Sequence, residues 1–338
     1  SIESFDLRGT TLGAVELPGL GTASVAVEHD RTEAFLTYQS FNEPQTIYHV
    51  DLETGSRAVW ARPEVPIDAS TVVVKQEWCT SPDGTKVPMF IVHRRGLVMN
   101  GKNPTLVYGY GGFNVSLTPR FRATDFPWLE AGGVYVSVTL RGGGEFGEEW
   151  HQGGMLAQKQ NVFDDLYAAT EHLISEGYTS SEHCAVIGGS NGGLLTGVAA
   201  TQRPDLYAAV ISAVPLLDMI RYPDFLMARF WIPEYGDPAK PADFEWLRAY
   251  SPYHNVEDGR SYPAILFTAG ENDNRVHPMH ARKMAALMQS RASNDLDEEP
   301  ILLWVDREGG HGQGKPIHLR VRDVADRWSF VMWQTGLN

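Results

Sequence analysis

The alternation of apolar and polar residues changes character once along this chain, near residue 70, and predicts a different kind of structure on each side. Before that point short stretches alternate with period two: Ser24 to Val27, Ala34 to Tyr38, and Thr46 to Asp51, closed by the turn Glu53-Thr54-Gly55. Three or four such strands cannot bury both of their faces, so they are expected to be the end of a larger all-β unit such as a propeller. Pro63, Pro66 and the polar Asp68-Ala69-Ser70 mark the boundary, which divides the chain into residues 1–70 and 71–338. Beyond it, Val72 to Val74 and Val87 to Val92 flank the turn Pro82-Asp83-Gly84 and predict a hairpin. Apolar runs then recur as candidate strands at Thr105 to Tyr108, Gly133 to Val138, Cys184 to Ile187, Ala208 to Ile211, Ala264 to Phe267 and Ile301 to Val305. Helical patterns separate many of them, notably Val162 to Ile174, capped by Asn161, and Met279 to Gln289. Continuous apolar strands with helices between them predict a mostly parallel sheet covered on both faces.

One junction in that alternation carries chemistry. Ile187-Gly188-Gly189-Ser190-Asn191-Gly192-Gly193 sets a serine between glycines, after a short buried strand and before a helix over Leu194 to Thr201. This is the Gly-x-Ser-x-Gly elbow, in which a sharp strand-to-helix turn projects the hydroxyl from the sheet edge. Eight strands opening with a hairpin describe the α/β-hydrolase scaffold on which such an elbow works, with an eight-stranded mostly parallel sheet between two layers of helices.

A serine hydroxyl needs a base to take its proton and an acid to orient that base, and on this scaffold they occur in the order Ser, acid, His. Of the eleven histidines, four lie beyond the next acid loop: His277, His280, His311 and His318. His311 comes after a strand within Glu308-Gly309-Gly310-His311-Gly312, where glycines leave room for a substrate. His277 and His280 read as helix-start and helix-surface residues. The loop after Phe267 offers Glu271 and Asp273 as the acid, which spacing alone does not separate. Asp273 is preferred because it lies deeper in the loop, beside Arg275, and a short carboxylate fixes an imidazole with less slack. The developing oxyanion needs donors: the N–H of Asn191 is one, and the loop Tyr108-Gly109-Tyr110-Gly111-Gly112-Phe113-Asn114 offers the hydroxyl of Tyr110 as the other. Tyr108, at the strand end, reads as a packing aromatic. Gly142 to Gly147 matches Gly-x-Gly-x-x-Gly after a strand, but acidic residues and Trp150 come next, so it reads as a close-packed loop near the site rather than a nucleotide cradle.

Composition narrows the partners. A net charge of −14 argues against nucleic acid or an anionic membrane as partner. No apolar run is long enough to span a bilayer. The two cysteines, Cys79 and Cys184, sit in predicted strands without metal-ligand spacing, and neither a metal nor another cofactor is expected. No secretory signal opens the chain, so a cytoplasmic location is expected, with the periplasm or secretion left open because the true N-terminus is not seen.

These motifs together resemble the catalytic domain of the prolyl oligopeptidase family of serine peptidases. Tyr108 to Asn114, Arg141 to Gly147, Gly188 to Gly193, Asp273 to Val276 and Gly310 to Gly312 fall in the family's order. The resemblance implies a triad of Ser190, Asp273 and His311, with Tyr110 and the Asn191 amide as the oxyanion hole. It implies a proline-binding slot in which Trp231 stacks on the ring, Phe113, Tyr235 and Val276 form other walls, and Arg275 binds a substrate carbonyl. It also implies that residues before 70 end a seven-bladed propeller whose remainder is the chain's partner, that the complete protein is a monomer, and that short proline-containing peptides are the substrates. A member with another primary specificity, of the oligopeptidase B or acylaminoacyl peptidase type, and a carboxylesterase are the alternatives.

Overall fold

The computed structural model describes residues 2–312 and 315–337. Its N-terminal part is antiparallel. β1 (Ile2–Phe5) and β2 (Thr11–Val15) pair with each other, and β3 (Thr22–Val27), β4 (Glu33–Gln39), β5 (Thr46–Asp51) and β6 (Arg57–Ala61) form a meander in that order. β4 shows why alternation predicts a strand: Ala34, Leu36 and Tyr38 are buried, and the residues between them are not. β1, β2 and β6 escape the sequence reading because most of their residues are exposed and leave no apolar period. Phe41, just past β4, packs 5.6 Å from the Phe90 ring and 6.0 Å from Tyr135, and Thr22 Oγ1 donates to the Pro119 carbonyl. These contacts seat the meander on the larger sheet beyond residue 70.

That second sheet has eight strands. β7 (Val72–Thr80) and β8 (Lys86–Arg94) form the predicted hairpin. The others are β9 (Thr105–Tyr108), β10 (Val134–Val138), β11 (Cys184–Gly189), β12 (Ala209–Ala213), β13 (Ala264–Gly270) and β14 (Ile301–Asp306). Their order is β14-β13-β12-β11-β9-β10-β8-β7; β8 runs antiparallel to its two neighbours and every other pair is parallel. Adjacent residues of β11 enter different cores: Val186 joins Val136, Leu166 and Leu194 on one face, and Ala185 joins Leu106, Tyr135 and Phe330 on the other. Burial on both faces explains why these strands read as continuous apolar runs. The helices are α1 (Phe126–Glu130), α2 (Glu148–Gln152), α3 (Gln160–Ser175), α4 (Asn191–Gln202), α5 (Ile232–Tyr235), α6 (Pro241–Tyr250), α7 (Met279–Arg291) and α8 (Ile317–Thr335). This is the α/β-hydrolase arrangement.

Two local expectations fail. Asn161 does not cap α3: Lys159 stands at the N-cap, and the Asn161 amide, inside the first turn, donates to the Gly153 carbonyl. His280 is not on the surface of α7. It is 1% exposed, and its Nδ1 accepts the amides of Leu217 and Asp218. Because the loop after β12 folds over α7, an imidazole with two backbone donors replaces water there, and burial holds it down to about 4.

Candidate active site

β9, β11, β13 and β14 run parallel, so the loops that leave their C-terminal ends share one edge of the sheet, where side chains converge outside a solid core. Ser190 leaves β11 with φ 60° and ψ −117°, then starts α4. That backbone is strained for a residue with a Cβ, and neighbours hold it: its N–H donates to the Ala213 carbonyl at 2.8 Å, and its own carbonyl accepts from Gly193 at 2.9 Å. Gly188 is obligatory because a Cβ there would run into the Gly192 carbonyl oxygen. α4 begins earlier than the sequence pattern shows, directly after Ser190, so the Asn191 N–H lies in a first turn without an intrahelical acceptor and is free to donate outward.

Past β13, Asp273 is nearly sealed, with 1% of its side chain exposed against 13% for His311. Its Oδ2 lies 2.6 Å from His311 Nδ1, and its Oδ1 accepts the amides of Arg275 and Val276, each at 2.9 Å. Burial alone would raise the Asp273 pKa. The His311 bond and the two amides outweigh it and hold the carboxyl below the ordinary aspartate range. Glu271, the other candidate, is exposed and pairs with Arg282 of α7. The Asp273 and His311 loops are stitched together: Glu271 N–H donates to the Asp306 carbonyl and Asn272 N–H to that of Gly309.

The Tyr110 loop leaves β9. Its phenol is half-buried, and burial pushes its pKa up while the Arg275 charge and a bond to Ser190 oppose the rise. Asn191 also reaches this loop through its side chain, a role with no sign in the sequence: its Nδ2 donates to the Tyr110 carbonyl at 2.5 Å, and its Oδ1 accepts the Tyr235 hydroxyl at 2.9 Å. Gly112 accommodates that amide, since a Cβ there would sit 2.6 Å from Asn191 Nδ2. Beside it, Phe113 meets Trp231 edge to face at 6.4 Å and Tyr235 at 5.5 Å. Phe113 and Trp231 are half-exposed, whereas Tyr235 and Val276 are fully covered. The Arg275 side chain is exposed and has no ion-pair partner among the described residues. Tyr108 packs against the second core with Arg122 over its ring.

Among the described residues no cluster of histidine, cysteine, aspartate or glutamate has the makings of a metal site, and no helix is long and apolar enough to cross a membrane. Cys79 and Cys184 are both buried and free.

Comparison with known proteins gives a consistent picture. Residues 119–338 match the model of the prolyl oligopeptidase family, and residues 1–63 match its N-terminal β-propeller domain. The four-stranded meander is thus the last part of a propeller. A prolyl endopeptidase of Elizabethkingia meningoseptica is 39% identical over 99% of this chain and 48% of its own length, and one of Dictyostelium discoideum is 37% identical over 97% and 44%. A prolyl endopeptidase structure analysed for the role of inter-domain dynamics superposes with a TM-score of 0.92 at 47% identity, covering 98% of this chain and 49% of that one. Prolyl oligopeptidase B from Galerina marginata, bound to a 35mer hydrolysis and macrocyclization substrate, superposes with a TM-score of 0.91 at 34% identity, covering 99% and 48%. The chain spans about half the length of the curated relatives it matches.

Proposed function

The chain belongs to the prolyl oligopeptidase family, and from that premise we propose that it carries the catalytic machinery of a serine endopeptidase that cleaves short peptides on the carboxyl side of proline. In this reading residues 71–338 are the catalytic domain and residues 1–70 close the propeller. Ser190 Oγ attacks the scissile carbonyl while His311 Nε2 takes its proton; Asp273 holds the opposite ring nitrogen and stabilises the imidazolium that forms. The Asn191 N–H and the Tyr110 hydroxyl receive the charge that develops on the carbonyl oxygen. His311 then protonates the leaving amine, and water repeats the sequence on the acyl-enzyme. The proline ring lies in the slot of Phe113 and Trp231, where a flat apolar ring without an N–H leaves no buried donor unsatisfied. Arg275 holds a substrate carbonyl.

The observation that supports this most is the buried Asp273 carboxylate, whose oxygens are divided between His311 Nδ1 and two amides, at the strand edge that carries the strained Ser190. The test is hydrolysis of matched chromogenic X-Pro, X-Arg and X-Ala amides and a short acyl ester by the complete protein. The X-Pro amide is expected to turn over fastest. Preference for X-Arg would move the protein to the basic-residue branch, and preference for the ester would make it a carboxylesterase.

A further inference from the structure

The loop from Tyr110 to Asn114 has left β9 and gains no sheet partner, and its backbone is strained at Phe113, where a residue with a side chain has φ 58° next to Asn114 at 57°; Gly111 takes its φ of 63° freely. Something outside the loop must fix it. Three of its backbone groups are held by side chains from elsewhere. The Tyr110 carbonyl accepts from Asn191 Nδ2, the Gly111 carbonyl accepts from Lys159 Nζ at 2.8 Å, and the Phe113 N–H donates to Glu234 Oε1 at 2.9 Å.

These supports meet in α5. Glu234 holds Phe113 directly. Its neighbour Tyr235 holds the loop through Asn191, to which its hydroxyl donates. Lys159, 1% exposed, lies 3.5 Å from Glu234 Oε1 and over the Tyr235 ring at 5.4 Å. Burial lowers its pKa, and the Glu234 charge opposes that. Glu234 Oε2 lies 2.9 Å from His151 Nε2, so α2 is drawn into the same knot. The single turn that precedes α5, Ala228–Trp231, carries Trp231. A sealed Lys-Glu pair adds little stability compared with apolar side chains of the same volume. What apolar side chains cannot supply is direction.

We propose that Glu234, with Lys159 and Tyr235, is a set of positioning residues that locks the oxyanion-donor loop to the wall of the substrate slot, so that the donor and the slot keep one geometry. This rests on the roles proposed above for Tyr110 and Trp231. Without the lock the strained loop relaxes, the Tyr110 hydroxyl leaves the place where charge develops, and Phe113 swings from Trp231.

The test uses the complete protein with Lys159→Met and Glu234→Leu combined, which removes both charges and keeps the volume. The melting temperature is expected to fall, because the Phe113 N–H and the Gly111 carbonyl lose their partners, but by less than for either single change, which leaves one buried charge unpaired. On the X-Pro amide kcat should fall by about ten- to a hundredfold, and KM should rise as Phe113 leaves the slot. Tyr110→Phe, expected to lower kcat roughly a hundred- to a thousandfold in the wild type, should lower it less than about tenfold in the double variant, because the hydroxyl is already misplaced. A stable double variant with wild-type kcat, or effects that simply multiply, overturns the proposal. If the double variant does not fold, Tyr235→Phe takes its place: it deletes one hydroxyl, and the same non-additivity with Tyr110→Phe is expected, while independence overturns the proposal. A wild-type rate for Tyr110→Phe alone overturns the donor assignment itself and is read without reference to Glu234.

Discussion

The four-stranded meander and the eight-stranded sheet are built from the same kinds of residue and differ in how they are covered. The meander and the β1–β2 pair beside it share a small core of three buried apolar side chains, Ala34, Leu36 and Val50, and the outer strands of the meander leave Val25, Val27, Val59 and Trp60 exposed. In the larger sheet, β10 is buried at every position and neighbouring residues of β11 enter cores on opposite faces. Helices complete the second sheet from within the chain. Within this chain the first has one partly covered face, and it leans on its neighbour through Phe41 and Thr22. Self-contained packing is what lets the larger sheet hold a strained residue such as Ser190, since strain persists only where the surroundings over-determine it.

This contrast is tested most severely at the elbow. Ser190→Ala should lower kcat on the X-Pro amide by on the order of a millionfold while the melting temperature stays put. Labelling of a different serine by a fluorophosphonate would remove the chemistry from this sheet edge.

Next in size is the small core. Leu36→Ala should destabilise the meander by about 2–5 kcal/mol. Hydrogen exchange should show β3 to β6 opening well before β9 to β13, and simultaneous opening would mean that the two sheets form one cooperative unit.

The dryness of the larger core has a pH signature at His280, held down to about 4 from its ordinary 6.5. Between those values the folded chain keeps this ring neutral while the unfolded chain takes up a proton. Stability should therefore fall as pH falls from about 6.5 toward 4, by roughly 3 kcal/mol in full. His280→Gln, which keeps an acceptor for the two amides, should flatten the dependence in denaturant titrations between pH 7 and 4.5. Parallel curves for the two proteins would mean that His280 is solvated.

The smallest effect concerns the slot. Trp231→Ala should weaken kcat/KM for X-Pro amides by about 2–3 kcal/mol, and for X-Ala amides by less, so that the preference narrows toward unity. An unchanged ratio would place Trp231 in the packing rather than at the substrate.

The fold and the position of the elbow are legible in the sequence because their causes are local. A strand buried on both faces must be a continuous apolar run, and a serine on a sharp strand-to-helix turn needs small residues on either side. His311 stands out for a similar reason, with glycines flanking it after a strand. Spacing along the chain leaves the acid as a pair, and position in the loop only ranks Asp273 above Glu271. Glu271 and Asp273 sit two residues apart in one loop, and which of them reaches His311 depends on α7, whose Arg282 engages Glu271 from outside while the His311 loop closes over Asp273.

The sequence misplaces His280 on the same grounds: nothing adjacent to it along the chain announces that the backbone at Leu217 and Asp218 covers it. Nor does the stretch around Glu234 announce its partners, since Phe113 is 121 residues away and Lys159 is 75. Residue order is enough to say where the chain turns, which faces are apolar and which residue types stand at the strand ends. It is not enough to say which polar groups meet. A buried donor or charge must find its partner wherever the fold brings one, and that partner can lie anywhere along the chain.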